Sequence, residues 1–243
     1  NDAYLLKNIQ DMGEVLVGID PILENNSSHA GEKIKLVGGF IEDTDFVSEL
    51  GGTPDLILSV HTFEHIDEPL PSLLELVKNS SEDALFVIEV PGFDSLLNSF
   101  RFDQVFHQHI HYYSVASFRR LIEIIGCEYL THTFNYDFWR GTMLIAFQKN
   151  KKAVSRVQDS EYCKLGRETI EAHYKIFQEQ LSCFMKTLGL SKNKQICGFG
   201  GSQMLPTLAY HLGSDLSFLK FILDDDPSRE GLMYPSLPVR IEQ

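Results

Sequence analysis

The chain reads as an α/β protein, a doubly wound parallel sheet followed by a second, smaller βαβ unit. Three observations predict it. Short apolar runs, EVLVGI, DLILSV and ALFVIEV, alternate with helical patterns of about ten residues, the succession that builds right-handed βαβ units. DLILSV is almost unbroken in its apolar character, as expected of a strand covered on both faces. Near the C-terminus the succession returns on a smaller scale: a strand, a glycine turn, a helix, and a strand ending in a run of aspartates.

Taken in order, Ala3–Asp11 is helical by the spacing of Tyr4, Leu5 and Ile9, with Asn1 or Asp2 near its N-cap and Gly13 at its C-cap. Glu14–Ile19 is a buried strand ending at Asp20-Pro21. Lys33–Val37 is the second strand, broken by Gly38-Gly39, and Asp43–Leu50 a short helix capped by Asp43 or Thr44. Asp55–Val60 is the third strand, His61–Ile66 the loop after it, Leu70–Lys78 a helix and Ala84–Glu89 the fourth strand. Val115–Ile125 is a helix with Phe118, Leu121, Ile122 and Ile125 on one face, stopped by Gly126. Cys127–Phe134 and Thr142–Phe147 form an antiparallel pair of strands, joined through Tyr136, Trp139 and Arg140. Lys149–Arg156 is a polar linker, and Asp159–Leu188 a long helical pattern with a break near Gly166. Gln195–Phe199, Leu205–Leu212 and Leu219–Leu223 make the small βαβ unit, and LPVRIEQ closes on a strand.

Composition narrows the function classes. The 243 residues, 43% hydrophobic, suffice for one large or two modest cores. A net charge of −13 argues against a nucleic-acid or acidic-membrane surface. The apolar runs are too short to span a bilayer, and no signal peptide opens the chain. Cys127, Cys163, Cys183 and Cys197 never form CxxC, which fits reduced thiols in a cytoplasmic protein and not a zinc site. The first residue is not methionine and both ends look cut, as in a fragment of a longer chain.

The chemistry concentrates in Phe102–Tyr113, FDQVFHQHIHYY, where His107, His109, His111, Asp103, Gln108, Tyr112 and Tyr113 follow a strand. Groups that move protons, hung on a loop behind a buried strand, mark an active-site candidate. The histidines alternate, so an extended backbone would put all three on one side and a helical turn would scatter them. One histidine as general base suits a side chain that titrates near neutrality. The competing reading is that the rings cap the core and bond to loop backbone. Asp20, His61 and Glu64 also fall at carboxyl ends of strands, where ligands of such sheets sit. Asp20 either accepts ribose hydroxyls or closes a turn before Pro21. His61-Thr62-Phe63-Glu64-His65 lacks HExxH spacing, so a metal site is not expected there. The turn Gly198-Phe199-Gly200-Gly201-Ser202 either cradles a phosphate or lets strand meet helix, with Asp224 placed where a dinucleotide site keeps its ribose acid.

Together these stretches resemble the sugar C-methyltransferase family, S-adenosylmethionine-dependent enzymes that methylate a carbon of a nucleotide-linked keto-sugar. NDAYLLKNI is similar to the end of the family's glycine loop, GSNDGxxL. VLVGIDP resembles the strand whose acid holds the cofactor ribose, and SVHTFEHIDEP the motif after the fourth strand. FDQVFHQHIHYYSVASFRRL resembles the signature FDxxYxEHxxYFSxxSL. RGTML, ICGFGG and FILDDDPSREG resemble the family's HGGSLR strand and its C-terminal GYGA…DxxPxKxG domain.

The resemblance implies a class I methyltransferase domain over residues 1–148, a linker and long helix over 149–190, and a Rossmann-like domain over 191–243, with the sugar nucleotide between domains. It implies S-adenosylmethionine as cofactor and S-adenosylhomocysteine as product, and zinc only in an N-terminal family module that this chain does not include. His109 takes the place of the catalytic base, with Phe106, Gln108 and Tyr112 around it. Phe106 stands where the signature has tyrosine, and Gln108 where it has glutamate. Asn1, Asp2, Asp20, Pro21, Phe40, Glu42, His61 and Glu64 fall at cofactor positions. His107, Arg140, Gly198, Phe199, Gly200, Gly201, Ser202 and Asp224 fall at acceptor positions. The implied assembly is a monomer or homodimer, without nucleic-acid or membrane partners. Rival readings are an O- or N-methyltransferase of the same fold, a binding protein that has lost activity, and a nicotinamide-dependent oxidoreductase using the glycine turn.

Overall fold

The computed structural model describes residues 3–23, 27–137, 141–149, 165–189 and 194–243. Asn1, Asp2 and Arg140 lie outside them, as do most of the expected linker and the start of the expected long helix. The chain clusters into two compact units that alternate along the sequence. One is Asn1–Glu89, Ser117–Thr133 and Leu144–Gln158; the other is Val90–Ala116, Phe134–Met143 and Asp159–Gln243.

The first unit begins with α1 (Tyr4–Asn8), preceded by Ala3 in a left-handed conformation and followed by a 3-10 turn at Gln10–Met12. Gly13 is extended, so it is no C-cap; the expected single helix divides because Ile9 leaves helical geometry. β1 (Leu16–Ile19) pairs parallel with β3 (Ile34–Val37), whose other edge carries β2 (Ser27–His29) antiparallel. β2 escapes sequence reading because a short Ser-Ser-His segment carries no apolar alternation. α2 (Phe46–Leu50) is capped by Asp45, whose Oδ1 accepts from the Ser48 N–H at 3.1 Å, and not by Asp43 or Thr44. Thr44 is turned away, its hydroxyl donating to the Phe40 carbonyl at 2.7 Å.

A second sheet has the order β4 (Leu56–Val60), β5 (Leu85–Pro91), β7 (Thr142–Lys149), β6 (Cys127–Asn135). β4 and β5 are parallel, and α3 (Pro69–Lys78) connects them. β5 alternates buried and half-buried positions, which sends Phe86 and Ile88 into the core. There the Phe86 ring stacks on Phe147 of β7, centroids 4.8 Å apart, beside Phe118 of α5 (Val115–Ile124). Gly126, at φ +74, stops α5 as expected. β4 departs from expectation: Leu56 and Val60 are 37% and 45% exposed, because among the described residues β4 pairs with β5 alone and stands at the sheet's edge.

The second unit holds α4 (Phe93–Asn98), α6 (Arg167–Gly189) and the small sheet β10 (Ile241–Glu242), β9 (Leu219–Leu223), β8 (Ile196–Phe199), with α7 (Leu205–Leu212) between β8 and β9. Its ladders are parallel. One cluster packs Ala209, Leu216, Ile222, Leu237, Val239 and Ile241 around that sheet. Another joins Leu96 and Leu97 of α4 to Phe102 and to Phe177 of α6. No described helix is long and apolar enough to cross a membrane.

Candidate active site

The turn after β4 is built by its apolar residues. Phe63 and Ile66 are buried, which carries the intervening Glu64 into the interior, where it is 1% exposed. The His65 N–H closes the turn on the Thr62 carbonyl at 2.9 Å. His61 adopts φ +50, a left-handed conformation rare for a side-chain-bearing residue and concentrated at functional sites. Its N–H donates to the Glu89 carbonyl at 2.9 Å, and its ring lies between two carboxylates: Nδ1 is 3.1 Å from Glu64 Oε1, and Nε2 is 3.6 Å from Glu89 Oε1. The hydrogen bond to Glu64 raises the imidazole pKa; burial opposes it, and the charges of Glu64 and Glu89 add to the rise. Glu64 Oε2 is buried with no hydrogen-bond partner among the described residues. Glu89 was missed by motif reasoning; its signal is that it is the one charged residue of ALFVIEVPG.

Asp20 follows β1, and its carboxylate accepts from the Ile22 N–H at 3.0 Å, closing a turn into the 3-10 segment Pro21–Leu23. Because Ile19 faces Val37 in a parallel ladder, the loop after β3 leaves from the same end. That loop exposes the Phe40 ring, while Glu42 accepts from the Ser72 hydroxyl at 3.2 Å.

In the second unit, the Phe102–Tyr113 segment opens as a 3-10 turn, Phe102–Gln104, with Asp103 held bidentate by Arg101 at 2.8 and 2.7 Å. The His109 N–H bonds to the Phe106 carbonyl at 3.1 Å, so residues 106–109 form a turn and the three histidines do not share a side. His107 and Gln108 stand exposed at its tip. His109 folds back so that its ring lies 4.3 Å from the buried Phe106 ring. The Tyr112 hydroxyl accepts from the Phe106 N–H at 3.0 Å and lies 3.3 Å from the Phe106 carbonyl, to which it donates. Tyr112 therefore braces the turn that presents His109, and burial pushes its phenol pKa up. The end of the segment is stitched to α4: Tyr113 accepts from the Phe93 N–H at 2.9 Å, and Asp94 from the Val115 N–H at 2.8 Å.

The glycine turn after β8 is locked by Asp224. Its Oδ1 accepts from the Asp226 N–H at 2.9 Å, its Oδ2 from the Gly201 N–H, and Arg229 Nη1 reaches both that carboxylate and the Gly201 carbonyl. These bonds, the Asp226 N–H foremost, hold the carboxyl below its ordinary range. Gly200 needs its φ of +89, and a side chain on Gly201 would meet Ile241 at 2.9 Å. Tyr234 adds a bond to the Ser202 carbonyl at 2.7 Å, and Phe199 stands exposed beside the turn.

A family model described as a methyltransferase domain matches residues 1–132 of the 243. Over 132 residues the chain is 29% identical to the C-methyltransferase NovU of Streptomyces niveus, a match covering 52% of this chain and 30% of NovU. The chain thus spans less than two thirds of that relative's length. Among solved structures, the plantazolicin methyltransferase BpumL, in complex with a pentazolic desmethylPZN analogue and SAH, is similar with a TM-score of 0.45 and 14% identity, covering 62% of this chain and 74% of that one. The 1,6-didemethyltoxoflavin-N1-methyltransferase of Burkholderia thailandensis gives a TM-score of 0.45 and 11% identity over 62% of this chain and 68% of that one. The chain, matched over more than half its length, belongs to the methyltransferase-domain family.

Proposed function

We propose that the protein is an S-adenosylmethionine-dependent methyltransferase that methylates a carbon of a nucleotide-linked keto-sugar, with His109 as general base. The observation that carries this reading is the braced turn at Phe106–His109: a half-buried imidazole held on an aromatic ring in a methyltransferase-family chain. Residues 1–148 would hold the cofactor, residues 191–243 the nucleotide end of the acceptor, and the cytoplasm is the expected location. Membership of the methyltransferase-domain family, and the NovU match, support the transferase class.

The residues fit the cofactor chemically. Asp20 offers a carboxylate at a strand end, Phe40 an exposed ring on the adjoining loop, and Glu64 a buried oxygen that awaits a donor. When bound, S-adenosylmethionine supplies an electrophilic methyl group on a sulfonium. His109 would take up the proton beside the carbonyl and so ready that carbon as the nucleophile, while the cofactor would supply the methyl by breaking its S–CH3 bond and leaving as the neutral thioether. Tyr112 and Phe106 keep the imidazole in place, which saves the cost of orienting it at each turnover.

The test is calorimetric titration with S-adenosylhomocysteine of the chain and of Asp20→Ala, followed by assays in deuterated water. A drop of tenfold or more in the variant, about 1.4 kcal/mol, is expected. Exchange of the carbon-bound proton beside the carbonyl, lost in His109→Gln, is expected of C-methylation. Methyl transfer without that exchange assigns oxygen or nitrogen as the acceptor atom. Absence of cofactor binding overturns the enzyme reading.

A further inference from the structure

Within the second unit, α7 runs from the glycine turn to the start of the His109 segment. It begins directly after the turn: the Leu205 N–H donates to the Ser202 carbonyl at 3.0 Å, and the Met204 N–H to the Ser202 hydroxyl oxygen at 3.1 Å. Its 8 residues carry the chain about 12 Å. His211 stands in the last turn of the helix, where its imidazole bonds to the Phe102 carbonyl. Nδ1 of the same ring lies 3.2 Å from the Tyr174 hydroxyl of α6, and the Phe177 ring packs edge-on against it at 5.2 Å.

These partners fix the ring's hydrogen. Burial disfavours the imidazolium, and a neutral imidazole has one donor and one acceptor. A carbonyl can only accept, so the nitrogen toward Phe102 carries the hydrogen and Nδ1 accepts from the Tyr174 hydroxyl. The Phe102 carbonyl also takes the Val105 N–H at 3.1 Å, the bond that closes the 3-10 turn Phe102–Gln104. The Phe102 ring packs on Tyr174 and Phe177 at 5.2 and 5.7 Å, and Asp103 beside it is held by Arg101. Ring packing holds Phe102 in place but leaves the direction of its carbonyl open; the hydrogen bond from His211 sets that direction. The turn that presents His109 starts four residues later, at Phe106.

We propose that His211 is a positioning residue: it clamps the opening of the His109 segment to α7, so that the base and the glycine turn belong to one frame. The separation between a group bound at the glycine turn and the carbon that His109 deprotonates is then set by the helix and not by a loop. Without the clamp the opening of the segment moves independently of α7, and an imidazole misplaced by about 1 Å loses its attack geometry. The inference rests on the reading of His109 as the base and names a residue that no sequence motif marks.

The experiment is amide hydrogen exchange followed by NMR on the full chain and on His211→Ala, His211→Gln and Tyr174→Phe, with the His109 imidazole resonances recorded in each. His211→Ala is expected to speed exchange at Val105 and His109 about tenfold and to shift the His109 resonances. Ile222, whose N–H donates to the Arg240 carbonyl at 2.9 Å, is expected to keep its protection. His211→Gln, whose amide still donates to a carbonyl, is expected to restore most of the protection at Val105 and His109. Unchanged exchange at those two amides overturns the positioning role. Equal acceleration at Ile222 overturns it as well, because His211 then serves stability alone. If His211→Ala does not fold, Tyr174→Phe decides: about threefold faster exchange at Val105 and His109 supports the clamp, and no change overturns it. Titration with dTDP keeps the acceptor reading separate. Shifts of the Gly200 and Gly201 amides are expected in every variant; their absence overturns the nucleotide's place at the glycine turn and leaves the contact between His211 and the segment standing.

Discussion

Nδ1 of His61 lies 3.1 Å from Oε1 of Glu64, a carboxylate carried into the interior between two core residues. An interior carboxylate is costly to leave without a hydrogen-bond partner. His61→Ala removes that partner, and the expected loss is about 3 kcal/mol, measured by urea unfolding. Glu64→Gln keeps the shape and removes the charge, so the His61 imidazole should titrate closer to 6.5, followed by histidine NMR. The double variant is expected to lose less than the sum of the two, because each change removes the same contact.

Two histidines should shape the pH profile in opposite directions. His61 has a raised pKa, so its contribution is complete below 6.5 and is lost as pH rises through the raised value. His211 on α7 has a lowered pKa, chiefly because burial disfavours the imidazolium, against the pull of the Phe102 carbonyl and Asp103. Its contribution is complete above 6.5 and is lost as pH falls from there through the lowered value. Its Nδ1 lies 3.2 Å from the Tyr174 hydroxyl, with the Phe177 ring 5.2 Å away. Thermal melts across pH 5 to 9 should show His61→Asn flattening the alkaline limb and His211→Gln the acid limb. A profile in which both variants alter the same limb would contradict this assignment.

Gly141 and Gly126 separate strain from collision. Gly126 has φ +74 with nothing within 4 Å of an added Cβ, so Gly126→Ala should cost about 1 kcal/mol from conformation alone. Gly141→Ala adds the clash with Ser95, and about 3 kcal/mol is expected. Gly141→Ala combined with Ser95→Gly should recover part of that difference in urea midpoints. Recovery would locate the cost in the contact and not in the turn.

Where one element carried a long and regular pattern, sequence reading located it closely. Leu205–Leu212 and Leu219–Leu223 match residue for residue, because a Pro-initiated amphipathic stretch ending at glycine and an apolar run before aspartates leave little choice. α4 was missed because six residues directly behind a strand and a glycine are too few to show a helical period. The cap of α2 was misplaced among neighbouring polar residues, which local chemistry alone cannot rank. In the site, the clustering of His109 with Phe106 and Tyr112 was legible as composition, but the turn that separates His107 from it was not. Glu89 stood out as the lone charge of its strand, but its approach to His61 was not legible: the two strands are distant in sequence, and only the parallel ladder brings them together.

The exposed edge of β4 has a practical side. Among the described residues no strand pairs with one flank of Leu56–Val60, and neither charge nor proline interrupts its five residues. Such an edge is a template for intermolecular strand pairing. In concentrated solution self-association through such an edge would hide cofactor binding by removing protein from solution. Leu56→Lys, at a position 37% exposed, is the change most suited to keeping the protein dispersed through a titration, since a charge on an edge strand opposes such pairing.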